Sequence, residues 1–140
     1  QAGKGNAGVA QIVKDTAGAI GYVDLSDAKA TNLTTALIKN KDGKFVAPTL
    51  EGTTAALAGA TIKDDLTYNP LNAAGAETYP ITAPTYVIVY TTPSANVAAI
   101  KGWLTYLLTD AQDLAKDVDF APLPTALRDR ALAQITQIQG

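Results

Sequence analysis

The sequence predicts an α/β fold, and three observations carry that reading. Thr85-Tyr86-Val87-Ile88-Val89-Tyr90 is a continuous β-branched and aromatic run, as expected of a strand buried on both faces. Val97, Ile100, Trp103, Leu104, Leu107, Leu108, Ala111 and Leu114 recur at three- and four-residue intervals, the pattern of an amphipathic helix. Near the start, a helical pattern passes directly into a second β-rich run, which makes an α-then-β unit.

In chain order, Val9, Ala10, Ile12 and Val13 form a short apolar helical face, so a helix is expected over about 7–15. Gly18 is suited to close it in a left-handed conformation. Ala19-Ile20-Gly21-Tyr22-Val23-Asp24-Leu25 then reads as a buried strand. Ser26 and Asp27 are candidate caps for a helical turn through Lys29 and Ala30. Residues 34–38 read as a strand, Asn40-Lys41-Asp42-Gly43 as a turn, and Phe45-Val46 as its returning partner, limited by Pro48.

Residues 53–60 are alanine-rich around Leu57 and predict a modest helix weakened by Gly59. From Lys63 to Pro84 the turn formers Asp64, Asp65, Asn69, Pro70, Asn72, Gly75 and Pro80 predict a long connection lying mostly on the surface. The run at 85–90, bounded by Pro84 and Pro93, is the expected central strand, and one long helix is expected over about 95–116. Pro122-Leu123-Pro124 interrupts the pattern before Thr125 caps a last helix with Leu127, Ala131, Ile135 and Ile138 on one face. The chain is therefore expected to end in two packed helices.

The totals bound the function. A chain of 140 residues that is 47% hydrophobic can build one ordinary core. With 17% charged residues and a net charge of −2 there is no broad positive field for a polyanion, so nucleic acid is not expected as a partner. The absence of cysteine and histidine removes the usual zinc sets, thiol nucleophiles and imidazole bases. The apolar runs are far shorter than the roughly 20 residues of a membrane-spanning helix. The opening Gln1-Ala2-Gly3-Lys4-Gly5, in a chain without methionine, reads as a processed end or an internal cut.

Three segments resemble the phosphate-binding proteins of bacterial ABC phosphate importers, in the family's order: Gly3-Lys4-Gly5-Asn6-Ala7-Gly8-Val9-Ala10, Thr16-Ala17-Gly18-Ala19-Ile20-Gly21-Tyr22-Val23 and Tyr79-Pro80-Ile81-Thr82. Asp119-Phe120-Ala121-Pro122-Leu123-Pro124 continues the match. The resemblance implies the C-terminal half of a two-lobe, type II periplasmic-binding-protein fold, with a mixed sheet flanked by helices and two C-terminal helices. Residues 1–78 would form part of the second lobe. Residues 79–140 would supply the crossing strand and the helices returning toward the first lobe.

It further implies an extracytoplasmic protein, periplasmic or lipid-anchored, that closes on inorganic phosphate by hinge motion and delivers it to an ABC permease. The family's phosphate ligands come from serine and threonine loops, an aspartate, and an arginine followed by Ser-Gly-Thr, all upstream of the region matched here. The aspartate would also favour phosphate over sulfate, since a carboxylate accepts from a protonated phosphate and repels an ionised sulfate. No phosphate ligand is therefore assigned in this sequence, and no catalytic residue, metal or cofactor. The missing N-terminal half, or self-association through surfaces it would cover, is the expected macromolecular partner. A structural or self-assembling protein that reuses the scaffold is the alternative reading, and an enzyme is disfavoured.

Four residue groups invite sharper functions. Gly3 to Gly8 offer flexible backbone donors at a helix start, an oxyanion cradle in principle, although a structural helix start outweighs it because no Walker pattern is present. Asp64, Asp65 and Glu77 suggest paired acids, but read better as solvated loop charges, as do Asp110, Asp113 and Asp117 on a helix. Trp103 with Tyr106 suggests a stacking surface, yet Trp103 lies on the apolar stripe and is expected in a core, like Tyr22, Tyr86 and Tyr90. Arg128 and Arg130 suggest an anion grip, but lack a neighbouring Ser-Gly-Thr and are expected to be solvated.

Overall fold

The computed structural model describes residues 2–92 and 95–139. The chain divides into two compact units, Gln1–Leu37 and Ile38–Gly140.

The first unit is built on α1 (Gly5–Asp15) and α2 (Leu25–Ala30), which pack on each other and bury Ala10 and Ala28. Helix α1 starts two residues earlier than its apolar face predicts. Gly18 adopts the left-handed conformation expected of it, with φ of 77°. Residues 19–24 then run back along α1, and a Cβ at Gly21 would lie 2.8 Å from Val13 Cγ2 and 3.1 Å from Val9 Cγ1. Glycine is required there because the chain rests directly on the apolar face of the helix.

The expected buried strand at 19–25 is corrected. No described strand includes the segment or pairs with it, Leu25 already belongs to α2, and Ile20 is 97% exposed. A β-rich run becomes a strand only when a neighbour completes its ladder. Ser26 and Asp27 also do not cap α2: its N-cap is Asp24, whose carboxylate instead accepts the Asn6 side-chain amide at 2.5 Å.

The second unit opens with a small antiparallel hairpin, β1 (Ile38–Lys39) and β2 (Phe45–Val46), in the register Ile38↔Val46 and Lys39↔Phe45. The turn at 40–43 falls where predicted and is closed by Gly43 N–H donating to Asn40 O at 2.9 Å. Residues 34–37 stay outside the ladder, so the first strand is shorter than expected. Among the described residues this pair is the one sheet, in place of the larger mixed sheet that the resemblance implies.

Helix α3 (Leu50–Ala58) begins three residues before the predicted start, because Thr49 Oγ1 accepts the Gly52 N–H at 3.0 Å and caps it. The connection that follows is only partly superficial. Pro70, Thr78, Pro80 and Thr82 are buried, Tyr79 N–H donates to Gly52 O at 3.0 Å, and Asn72 N–H donates to Pro80 O at 2.9 Å.

At 85–90, among the described residues, the expected central strand is likewise absent, and the run is largely exposed, with Ile88 92% accessible. Its expected boundary at Pro93 lies outside the described residues.

The single long helix predicted over 95–116 is instead α4 (Val97–Leu108) and α5 (Ala111–Asp117). Thr109 leaves helical geometry (φ −119°, ψ −94°) and its Oγ1 donates to Thr105 O at 2.8 Å. Gln112 makes the break a joint: its Nε2 donates to Leu107 O at 2.7 Å, while its Oε1 accepts Leu123 N–H at 2.8 Å. Helix α6 (Thr125–Ile135) starts after Pro124 without a side-chain cap from Thr125, packs on α4, and buries Leu127. The terminal region thus holds three helical segments rather than two.

Candidate functional site

The first unit tests the oxyanion cradle. A Cβ on Gly3 would lie 2.4 Å from Val9 N and 2.5 Å from Gly8 C, so the glycines let the chain fold against its own helix. Lys4 is the N-cap of α1 and makes no side-chain cap bond. Close self-packing accounts for Gly3 and Gly8, while Gly5 has open space around it and takes a left-handed φ of 64°; both support the structural reading.

The second unit commits the candidate side chains to its own backbone. Arg130 Nη1 donates to Ile62 O at 3.1 Å and Nη2 to Lys63 O at 2.6 Å. Gln134 Nε2 donates to Asp64 O at 2.6 Å. Arg130 was expected to be solvated; it is a fastening group instead, because three neighbouring carbonyls need donors. Arg128 lies 3.9 Å from the Asp129 carboxylate on the helix surface.

Asp64 and Asp65 point to separate partners. Asp64 Oδ1 lies 3.7 Å from Arg130 Nη2. Asp65 Oδ1 accepts both the hydroxyl of Thr67 (2.7 Å) and its N–H (2.9 Å), and those bonds hold the carboxyl below the usual aspartate range. Glu77 is exposed, as are Asp110, Asp113 and Asp117. Among the described residues no cluster of three or more carboxylates is placed to hold a metal ion.

The aromatic expectations are corrected. Trp103 is 54% exposed, and Tyr22, Tyr86 and Tyr90 are also exposed rather than packed in a core. Tyr86 instead meets Tyr68 edge to face, with ring centroids 6.0 Å apart at 64°. Burial, and to a lesser degree Tyr86, raise the Tyr68 hydroxyl pKa; burial alone raises that of Tyr79.

One polar cluster was not legible in the sequence. Asn40 is buried, and its Nδ2 donates to Gly75 O (3.1 Å), Ala76 O (2.9 Å) and Thr78 O (3.2 Å), while Oδ1 accepts Lys44 N–H at 2.9 Å. Thr78 Oγ1 adds a 2.9 Å bond to Ala73 O. These groups satisfy one another and present no open ligand position. The sequence signal was slight: one asparagine that looked like an ordinary turn residue.

A groove of about 470 Å³ runs beside α3, floored by Leu50, Ala55, Ala58 and Pro122 with Glu51 and Lys116 at its edge. It lacks the convergent polar groups that orient a small ligand. Asn40, Thr78, Arg130 and Gln134 thus serve to hold loops in place.

A family model described as a PBP superfamily domain matches residues 1–111. The chain belongs to the PBP superfamily. Within it, the likeness to phosphate-binding proteins read from the sequence is borne out. The chain is 40% identical over 126 residues to phosphate-binding protein PstS of Methanocaldococcus jannaschii, covering 79% of this chain and 32% of that protein. It is 30% identical over 128 residues to PstS of Haemophilus influenzae (89% and 38%). It is 30% identical over 138 residues to PstS of Pasteurella multocida (96% and 40%). The chain thus spans between 32% and 40% of the length of these curated relatives. Among the described residues, no helix of this PBP superfamily chain is long and apolar enough to cross a membrane.

Proposed function

We propose that this chain is the second-lobe and C-terminal portion of an extracytoplasmic phosphate-binding protein, which captures inorganic phosphate and hands it to an ABC permease without chemical turnover. Residues 1–78 contribute to the second lobe. Residues 79–140 cross back toward the first. The observation that carries this reading is the likeness to PstS proteins along most of the chain. The ligands themselves belong to the upstream part of the polypeptide, in keeping with Arg130, the one candidate anion grip beside Arg128, being committed to backbone carbonyls.

The runs at 19–23 and 86–90 support the same reading, since each has the composition of a strand and, among the described residues, has no strand beside it. Upstream strands of the same polypeptide are their proposed partners. In the 140-residue chain alone these runs favour self-association, which is the second reading.

Calorimetric titration with phosphate, on the natural full-length polypeptide and on the 140-residue chain, tests the proposal. Saturable binding by the full-length polypeptide and none by the chain alone is expected. Failure of the full-length protein to bind phosphate would overturn it. Sedimentation of the chain alone tests the second reading, which a monomer at every concentration would exclude.

A further inference from the structure

The hairpin turn holds the one Asp-Gly step in the sequence, Asp42-Gly43, and no asparagine is followed by glycine. Glycine is needed at 43 for its conformation: a φ of 78° lies in the left-handed region, where a Cβ is strained. The same choice has a chemical consequence. With no side chain on Gly43, its backbone nitrogen can approach the Asp42 carboxyl unhindered. Lys41, Asp42 and Gly43 are all exposed, so water reaches the step freely.

The reaction open to such a step is isomerisation through a cyclic imide. The Gly43 nitrogen loses its proton and bonds to Asp42 Cγ, while the protonated carboxyl loses its hydroxyl; proton and hydroxyl depart as water. Water then adds to either imide carbonyl. Addition at Cγ breaks the new bond and restores aspartate. Addition at the Asp42 backbone carbonyl carbon breaks its bond to the Gly43 nitrogen, leaving the main chain to run through Cβ and Cγ as isoaspartate. One water leaves and one enters, so the mass is unchanged and no other reactant is needed.

The folded turn opposes the first of these steps. Gly43 N–H donates to Asn40 O at 2.9 Å, and that bond must open before the nitrogen can attack. Asn40 is itself held fast. Its N–H donates to Lys44 O at 2.8 Å and its Oδ1 accepts Lys44 N–H at 2.9 Å. Its buried Nδ2 donates to Gly75 O, Ala76 O and Thr78 O. We propose that Asp42-Gly43 is the site of spontaneous aspartyl isomerisation in this chain, and that the Asn40-anchored turn holds it in check. Local opening of the turn sets the rate. Isoaspartate lengthens the turn backbone by one methylene, so its formation undoes the closure between Asn40 O and Gly43 N–H.

In the test, the natural full-length polypeptide is aged, folded and in urea, in mildly acidic buffer where a carboxyl keeps a protonated fraction. Chymotryptic cleavage after Leu37 and Phe45 releases residues 38–45, in which Asp42 is the sole acidic residue. The isoaspartyl form of this peptide elutes separately at equal mass and accepts a labelled methyl group from an isoaspartyl-specific methyltransferase. In urea the isomer is expected at Asp42 ahead of every other aspartate of residues 1–140. In the folded protein it should accumulate at least about tenfold more slowly. Asn40→Ala, under conditions where its circular dichroism matches the parent, should recover much of the urea rate. Asp42→Glu, whose longer side chain disfavours imide closure, should abolish the signal. Equal rates in the folded and unfolded parent overturn the proposal, as does a folded Asn40→Ala that ages no faster than the parent. So does isomer appearing first at another of these aspartates. The comparison of folded with unfolded parent needs no variant, and decides the matter even where Asn40→Ala does not fold.

Discussion

Asn40 shows how much one side chain can fix. Its amide joins the hairpin to three carbonyls of the 75–78 segment, and its burial leaves no water to replace those bonds. Asn40→Ala should therefore destabilise the chain by about 2–4 kcal/mol, read as a lower urea midpoint with the slope preserved. A loss within the scatter of surface substitutions would show that the amide is dispensable.

Asp65 gives a second residue-scale prediction, in pH. The Thr67 hydroxyl and N–H favour the charged carboxylate, so the folded-state pKa lies below the unfolded one. The stabilisation is present above the ordinary aspartate value of about 3.9 and disappears as pH falls through the folded-state pKa. The Thr67 amide resonance should titrate with its midpoint below that value and lose the response in Asp65→Asn. Tyr68 has the opposite sign. Its hydroxyl pKa is raised by burial, so its contribution is intact below about pH 10 and is lost as pH rises through the folded-state pKa. Tyr68→Phe should flatten that alkaline loss in a stability–pH profile.

Among the elements, α3 depends on a cap that precedes its apolar pattern. Thr49 donates no apolar periodicity, and the alanine-rich stretch alone places the start too late. Thr49→Ala should lower stability by about 1 kcal/mol, whereas Thr49→Ser should retain most of it. The α4–α5 break follows the same logic. Apolar spacing runs unbroken through Thr109, so periodicity cannot see the joint that Gln112 makes with Leu107 O and Leu123 N–H. Gln112→Ala should cost about 1–2 kcal/mol and speed exchange of the Leu123 amide before that of α4.

For the whole molecule, the decisive feature is apolar surface without a partner. Trp103, Ile20, Ile88 and Tyr90 follow core-like sequence patterns and are exposed in this chain. On the proposed reading, the rest of the polypeptide covers much of this surface. Trp103 provides the measurement: its fluorescence should be red-shifted in the 140-residue chain and blue-shifted, with slower quenching by iodide, in the full-length protein. Equal emission and quenching in the two would count against coverage of that face.

Residue patterns alone were enough to place the α/β character, α1, the hairpin turn, the terminal helical region and membership of a binding-protein superfamily. Those features reside in local propensity, periodicity and short motifs, which neighbouring residues carry together. It took the folded chain to show that the β-rich runs have no strand partner among the described residues, that Asn40 is a buried clasp, and that Arg130 holds a turn. Each depends on groups 35 to 68 positions apart in the chain, or on a strand that no described residue supplies. Residue spacing encodes which face a side chain takes on its own helix or strand; it does not encode what stands opposite.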